Sequence, residues 1–443
     1  MDVLITQIRP AFFSADCGMC YVLRLADGRF VLIDGNIGEY EEPDRLWDVM
    51  NAQNARDGKP VVAAWIFTHA HCDHIGGFTA FMQKYGDGII LENLFFRFPG
   101  ENDAAPSGNE PLIREFEKIA DKQHVVTPRA GDRYTFGGAL IDILYSCADA
   151  ADYIENFNDT SLVFMITLAG KRILFTGDIL RRGAERLCEM YPPERLKCDI
   201  LQVAHHGYYG ANEALYRAAD PDILLWSCPD FWYPVVRHWG ASEYLTAAYE
   251  KDKIFISGRA QTTLDLNKPY PAFSPYPQYK AGEVICEETF DGGRVIDLGW
   301  SCLTGGHTGY KAAEAEIKDG ACTLKNPTDA FTVCQIVQPG VLRKNPDFNF
   351  SFTAEIAGET DPFGLFWDYD EPTVFREEKI LRLPLSPGKS AVFTLRADSE
   401  KQKAALYKDG ALLREMPCRT AGGLYFVFRR AALTLRHIRV IKQ

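Results

Sequence analysis

The sequence predicts an α/β domain followed by an all-β domain. Three observations point there. Over roughly the first 265 residues, short apolar runs alternate with segments of helical spacing. Prolines then crowd the stretch 268–282, where Lys268-Pro269-Tyr270-Pro271 is followed by Pro275 and Pro277. Beyond 283 the chain reads almost throughout as strands separated by turns, the rhythm of a β-sandwich. The predicted organisation is a domain over 1–267, a linker over 268–282 and a sandwich over 283–443.

The first strands are expected at 2–8, 20–25 and 29–34, the last two joined as a hairpin by Asp27-Gly28. A helix follows at 43–56, with Pro43 at its start. Next come the apolar strand 61–67, a helix over 76–85 opened by Gly76-Gly77, a strand at 89–95 and a helix at 111–122. Strands at 140–145, 161–168 and 171–175 form a β-rich stretch, the last two turning at Ala169-Gly170. A helix at 181–190 leads to strands 199–203 and 222–226, and a helix at 241–250 precedes strands 253–257 and 261–266. In the C-terminal part, strands are expected at 349–356, 364–368, 390–396, 403–408, 424–429 and 433–440. Asp409-Gly410 marks a turn there, and 311–317 is the one helix candidate.

The composition of the 443 residues, 47% hydrophobic and 24% charged, excludes wholesale disorder and low-complexity architecture. The longest apolar runs, such as 61–67, fall far short of the ~18 residues that span a bilayer, so no membrane partner is expected. The opening residues lack a basic n-region and an apolar h-region, which predicts a cytoplasmic protein. Twelve cysteines spread along the whole length are expected to be reduced and buried, and the single CxxC, Cys17 to Cys20, has no second pair to make a zinc site. Net charge is −12, and residues 306–443 carry 20 Lys+Arg against 17 Asp+Glu, so the acidity belongs to the first part. That distribution argues against a long duplex nucleic acid as partner, because such affinity comes from neutralising phosphates. A small phosphoester held through a metal stays compatible with it.

Thr68-His69-Ala70-His71-Cys72-Asp73-His74-Ile75-Gly76-Gly77 is the segment that carries chemistry. It follows an apolar strand and leads into a helix. Three imidazoles and a carboxylate so close together suit zinc or a related divalent ion. Alternation puts His69 and His71 on one side of an extended loop to share one metal, while Asp73 and His74 face a second. No Ser-His-Asp or Cys-His nucleophile and no GxxxxGK[ST] phosphate loop is found.

This segment resembles the HxHxDH signature of the metallo-β-lactamase-fold hydrolases. Leu32-Ile33-Asp34-Gly35-Asn36 is similar to their strand-end Asp-Gly motif, Phe175-Thr176-Gly177-Asp178 to their TGD motif, and Val203-Ala204-His205-His206-Gly207 to their later histidine motif. The resemblance covers 1–267 and implies a four-layer αββα sandwich with two divalent ions, zinc in the first place and manganese as the other candidate. It implies Asp34 as a support for the His-rich loop, Asp178 as a bridge between the ions and Asp73 and Asp178 as the catalytic carboxylates. His205, at the end of an apolar strand, is expected as a second-site ligand, and His206 as a substrate contact or a brace.

Within that superfamily, Asn158-Asp159-Thr160-Ser161-Leu162-Val163 followed by TGD and HHG is similar to the hydrolase domain of ComEC-type competence proteins. Glyoxalase-like members have a histidine about twenty residues before the TGD aspartate, where this chain has Asn158 and Asp159. Asp159 is the natural substitute ligand, because a carboxylate binds a borderline cation more strongly than an amide does. Its alternative reading, weighed equally, is a cap on the turn into 161–168. His238 matches a family histidine only in residue type and is read as a substrate contact or a surface residue. His124, His307 and His437 are read as structural.

The C-terminal part resembles concanavalin-like jelly rolls. Gly364-Leu365-Phe366-Trp367-Asp368-Tyr369-Asp370-Glu371 sets aromatics beside carboxylates, the make-up of a glycan or Ca²⁺ site and equally of a sandwich core with a solvated turn. The function that the resemblance implies is hydrolysis of a phosphodiester or related phosphoester by a metal-bridged hydroxide, made available by two ions that lower the pKa of a water. Two other readings stand: hydrolysis of a carboxylic ester, lactone or thioester at the same centre, and a non-catalytic glycan-binding protein.

Overall fold

The computed structural model describes residues 2–10, 18–38, 42–99, 109–150, 154, 157–230, 232–292, 300–306, 309–366, 377, 380–418 and 423–443. The chain forms two compact units, Met1–Ser274 and Pro275–Gln443. The boundary falls inside 268–282, which holds no helix or strand.

In the first unit the strands are β1 (Leu4–Gln7), β2 (Tyr21–Arg24), β3 (Phe30–Ile33), β4 (Val61–Ile66), β5 (Ile90–Leu91), β6 (Leu94–Phe95), β7 (Val125–Val126), β8 (Arg133–Phe136), β9 (Ala139–Tyr145), β10 (Val163–Leu168), β11 (Lys171–Phe175), β12 (Ile200–Gln202), β13 (Ile223–Trp226), β14 (Ile254–Ile256) and β15 (Thr262–Asp265). They make two sheets. One runs β15-β1-β2-β3-β4-β6-β7 with β5 also on β4, and the other runs β14-β13-β12-β11-β10-β9-β8. Alternation within single strands explains the layering. Val31 and Ile33 of β3 and Ala64 and Ile66 of β4 meet Ile141, Phe164, Ile173 and Ile200 in a core between the sheets. Leu32, Trp65 and Phe67 face the other way, onto the helices α1 (Glu42–Gln53), α2 (Cys72–Tyr85) and α3 (Glu110–Ala120) through Leu46, Ile75, Phe78 and Phe116. Leu174, Leu201 and Leu224 likewise pack on Leu187 of α4 (Arg181–Met190), on Leu215 of the helix Glu213–Ala219 and on Leu245 of the helix Ser242–Ala248. The unit is the αββα sandwich expected. No helix among the described residues is long and apolar enough to cross a membrane.

Helix α2 begins at Cys72, four residues before the expected Gly76-Gly77 start, because the His71 carbonyl accepts from the backbone N–H of both His74 and Ile75. The glycines have a different reason. A side chain on Gly77 would put its Cβ 1.5 Å from the Gly35 carbonyl oxygen, so the pair lets the helix lie directly on the loop after β3.

The second unit consists, among the described residues, of an eight-stranded and a six-stranded sheet, both antiparallel, around one core. Strand Phe348–Gly358 turns Phe348, Phe350, Phe352, Ala354 and Ile356 inward in strict alternation. The expected helix at 311–317 is instead the strands Gly309–Ala312 and Glu314–Lys318. Lys318 pairs with Ala321 across Asp319-Gly320, both at positive φ (51° and 66°), a two-residue hairpin turn whose Asp-Gly signal overrides helical spacing. Cysteines also depart from expectation. Cys302 and Cys334, register partners on neighbouring strands, form a disulfide, whereas the other nine described cysteines are free and Cys17 lies outside the described residues. Phe366 is core; Trp367 to Glu371 and His307 lie outside the described residues.

Candidate metal centre

Four strands deliver the site from corresponding ends. β3 and β4 run parallel, as do β11 and β12. Asp34 follows β3, the His69–His74 segment follows β4, Asp178 follows β11, and His205 and His206 follow β12. Each pair of loops therefore opens at the same edge of its sheet.

Asp73, His74, Asp178 and His206 each bring one ligating atom into a group whose atoms all lie within 4.8 Å of one another. Nε2 of His206 is 3.1 Å from Asp73 Oδ2, 3.2 Å from Asp178 Oδ2 and 3.3 Å from His74 Nε2. Nε2 of His74 is 3.2 Å from Asp178 Oδ2. The far side of each ring is held: Nδ1 of His74 lies 2.6 Å from Asp34 Oδ2, and Nδ1 of His206 lies 2.8 Å from the Ser227 carbonyl. Asp34 in turn accepts from the Thr68 amide and hydroxyl, both at 2.7 Å. Beside this group, Nε2 of His69 is 3.0 Å from His71 Nδ1 and 3.8 Å from Asp178 Oδ2.

Charges are paired two against two. Burial alone would lower the pKa of His74, but the carboxylates of Asp178, Asp73 and Asp34 hold it well above the ordinary value. His206 is pushed up to about 10 by Asp178 and Asp73 in the same way, against burial. Asp73 and Asp178 are held low by those two rings, although burial opposes this. Burial pushes His69, His71 and His205 down, which leaves three neutral imidazoles.

The arrangement fits divalent ions. Two imidazole nitrogens and two carboxylates converge without an intervening apolar group, the donor set of zinc and related metals. Asp178 Oδ1 and His205 Nδ1 are buried with no hydrogen-bond partner. Such atoms are costly unless something else satisfies them.

His206, expected as a substrate contact or a brace, joins the cluster, and His205, expected as a ligand beside Asp73 and His74, lies 3.2 Å from the Asn158 amide. Strand alternation fails here because both residues are left-handed, at φ 49° and 54°. Trp226 fixes that turn, donating its indole N–H to the His206 carbonyl at 2.7 Å. Gly207 at φ 84° lies under the same ring, where a Cβ would come within 2.2 Å of it. Asn158 and Asp159 also separate. They sit in the tight turn Phe157–Thr160, and it is Asn158 that lines the cavity and bonds His71 and His205. Asp159 is buried as well and is not among the residues that line the cavity. His238 follows the short helix Tyr233–Val236 and does not line the cavity either.

Several supporting residues were not anticipated. Gln202 accepts from Thr176 N–H and donates to the carbonyls of Gly177 and Val203, so one buried amide ties the β11 and β12 loops together. An amide inside an otherwise apolar parallel strand was the available signal. The Asp178 amide N–H donates to Ser161 Oγ. Ser227 has no motif to announce it, since it acts through its carbonyl. The cavity over the cluster holds about 340 Å³ and is walled by His71, Asp73, Asn158, His205, His206 and Tyr208, among others.

Residues 17–147 match the family model of the metallo-beta-lactamase superfamily, and this N-terminal region is a domain of that superfamily. ComE operon protein 3 of Bacillus subtilis (strain 168) is 25% identical over 158 residues, 34% of this chain and 17% of that protein, so the chain spans only a small part of that relative. Among solved structures, the metallo-beta-lactamase fold protein YhfI from Bacillus subtilis is 14% identical, with 59% of this chain and 99% of that chain covered at a TM-score of 0.38. Zn²⁺-bound PqqB from Methylobacterium extorquens is 13% identical, with 59% and 99% covered at 0.36. A Bacillus subtilis protein with a galectin-like fold is 12% identical, with 37% and 98% covered at 0.25.

Proposed function

We propose that the first unit is a metal-dependent hydrolase of a phosphodiester or related phosphoester. The observation that carries this reading is the convergence of Asp73, His74, Asp178 and His206 within 4.8 Å, beside the His69–His71 pair. Asp73, His74 and His206 would hold one ion, and His69 and His71 the other, with Asp178 shared between them. His205 and Asn158 are the further donors nearest that second position, and they replace Asp159 in the proposed ligand set.

Two divalent ions, zinc or manganese, would supply a water that ionises near neutral pH and would offset charge on the attacked phosphoryl group. The chain's own part is to prepare the donors. Asp34 and the Ser227 carbonyl keep the Nδ1 protons of His74 and His206 on the outer side, so an ion that displaces the inner protons would meet both Nε2 lone pairs. Gln202 and Ser161 hold the turn that presents Asp178. The cavity is lined chiefly by carboxylates and imidazoles and, among the described residues, has no Lys or Arg in its wall, which favours a small substrate held through metal over a polyanion gripped by basic residues.

The test is metal content of the purified full chain by mass spectrometry, with turnover of bis(p-nitrophenyl) phosphate and of p-nitrophenyl acetate with added Zn²⁺ or Mn²⁺. Two ions per chain with metal-dependent cleavage of the diester are expected. Cleavage of the carboxylic ester alone would put the ester reading in its place, and a folded protein that binds neither ion would end both.

A further inference from the structure

We propose that the cleft beside the metal cavity, lined by Tyr209 with Trp239 stacked against it, binds a planar aromatic ring carried by the substrate. This deepens the phosphoester reading and rests on it for the word substrate, but not for the ring. The ring could be an aryl group or a nucleobase, since both present the same flat π face.

The chain leaves the metal cavity at Tyr208, and the next residue, Tyr209, enters a second cavity of about 480 Å³. That volume lies within the ~300–1,000 Å³ of small-molecule sites. Arg181 and Glu185 form one wall, at the start of α4 just beyond Asp178, and Asn212 and Glu213 form another. Gly240 leaves the approach to the tyrosine open.

Tyr209 is 67% exposed, the most exposed large hydrophobic residue described. An aromatic ring left in water forgoes the burial that normally fixes its place. Here it is fixed anyway, stacked on Trp239 with centroids 5.3 Å apart and planes 8° from parallel. Trp239 in turn meets Tyr208 at 5.4 Å, and Tyr208 meets His205 at 5.6 Å. An unbroken aromatic path thus leads from the metal-site imidazoles to an open, oriented ring face. A third flat ring can extend that stack at little ordering cost.

Charge narrows the choice. The single cation in the lining among the described residues, Arg181, is paired through Nε with Glu185 at 2.8 Å, and Glu213 adds another negative charge. A run of phosphates would be repelled here. A neutral ring attached to the one phosphoester at the metal centre would not.

The experiment has two arms. In the first, kcat/KM is compared for methyl p-nitrophenyl phosphate, a thymidine p-nitrophenyl phosphodiester and bis(p-nitrophenyl) phosphate in the full chain with Zn²⁺ or Mn²⁺. Tyr209→Ala is expected to reduce the preference for a ring-bearing non-leaving group over methyl by about tenfold, the size of a lost stacking contact. Tyr209→Phe should retain the preference. In the second arm, AMP, phenyl phosphate, glucose 6-phosphate and methyl phosphate are titrated into metal-free protein while tryptophan fluorescence is followed. Saturable quenching by AMP or phenyl phosphate that Tyr209→Ala weakens about tenfold is expected, and which of the two binds tells nucleobase from aryl. An unchanged preference in the first arm, or equal response to the sugar and methyl phosphates in the second, overturns the inference. Absence of all phosphoester turnover with ring-selective quenching intact would count against the hydrolase reading alone.

Discussion

Asp34 and His74, forty residues apart in sequence, meet at 2.6 Å, carboxylate oxygen to Nδ1, with both side chains fully buried. The contact joins the loop after β3 to the first turn of α2. It also decides which nitrogen of His74 faces the centre. Asp34 is itself left-handed, at φ 51°, a conformation that Asp and Asn tolerate better than most residues.

Asp34→Asn should therefore preserve the backbone while weakening the hold on the His74 proton. Metal affinity is expected to fall about 10- to 100-fold, the usual cost of losing such a partner. Competitive titration against a chromophoric chelator measures it. An affinity equal to that of the parent would show that Asp34 has no part in ligand orientation.

The different surroundings of the two neighbouring histidines, and of Asn158 and Asp159, separate two sets of variants. His206→Ala and Asn158→Ala should each deplete bound metal, whereas Asp159→Ala should leave the metal count intact at a cost only in stability. Mass spectrometry of the native protein counts ions per chain. A full count in Asn158→Ala with depletion in Asp159→Ala would restore the assignment made from sequence.

Gly77→Ala should destabilise the first unit by about 3 kcal/mol, the upper end of ordinary overpacking, because backbone blocks the new methyl group. The same change at Gly58, which has nothing within 4 Å of a Cβ but has φ 84°, would cost only conformational strain. Thermal melts that shift equally for both variants would contradict the close approach of α2 to the β3 loop.

Asp347 gives a pH signature in the second unit. It accepts from the Ser399 amide at 2.6 Å and from Lys442 at 3.1 Å, and these contacts hold its carboxyl below the ordinary value although burial opposes them. A depressed carboxylate stabilises the folded state above the unfolded pKa of ~3.9 and loses that effect as pH falls through the folded value. Asp347→Asn should cost about 1 kcal/mol at pH 7 and progressively less as pH falls below the unfolded pKa, read from urea midpoints. A gap that stays constant as pH falls would remove the ionic contribution.

The sequence announced the site better than its geometry. His69, His71, Asp73, His74 and Asp178 were legible because metal-binding residue types recur at strand ends, where loops from parallel strands must meet. The place of His206 in the cluster was not legible, because alternation assumes extended backbone and two left-handed residues interrupt it. Asn158 and Asp159 could not be ordered from spacing, since both are buried in one tight turn and only Asn158 lines the cavity. Contacts made through backbone, such as the Ser227 carbonyl to His206, leave no trace in residue type. In the second unit, the helical spacing of 311–317 yields to Asp319-Gly320, a local turn with positive φ at both positions and the stronger constraint.

The tandem turn at His205 and His206 has a consequence for how such a centre can change. Two adjacent residues send their rings to opposite halves of the cavity, and one indole and one glycine hold both. The halves consequently share a single hinge. A lineage or an engineer who alters Gly207 or Trp226 to retune one of the two proposed metal positions should disturb the other in the same stroke, whereas changes at Asn158 or Asp73 should reach one half at a time. Divergence in this centre should therefore accumulate at its periphery and spare its pivot.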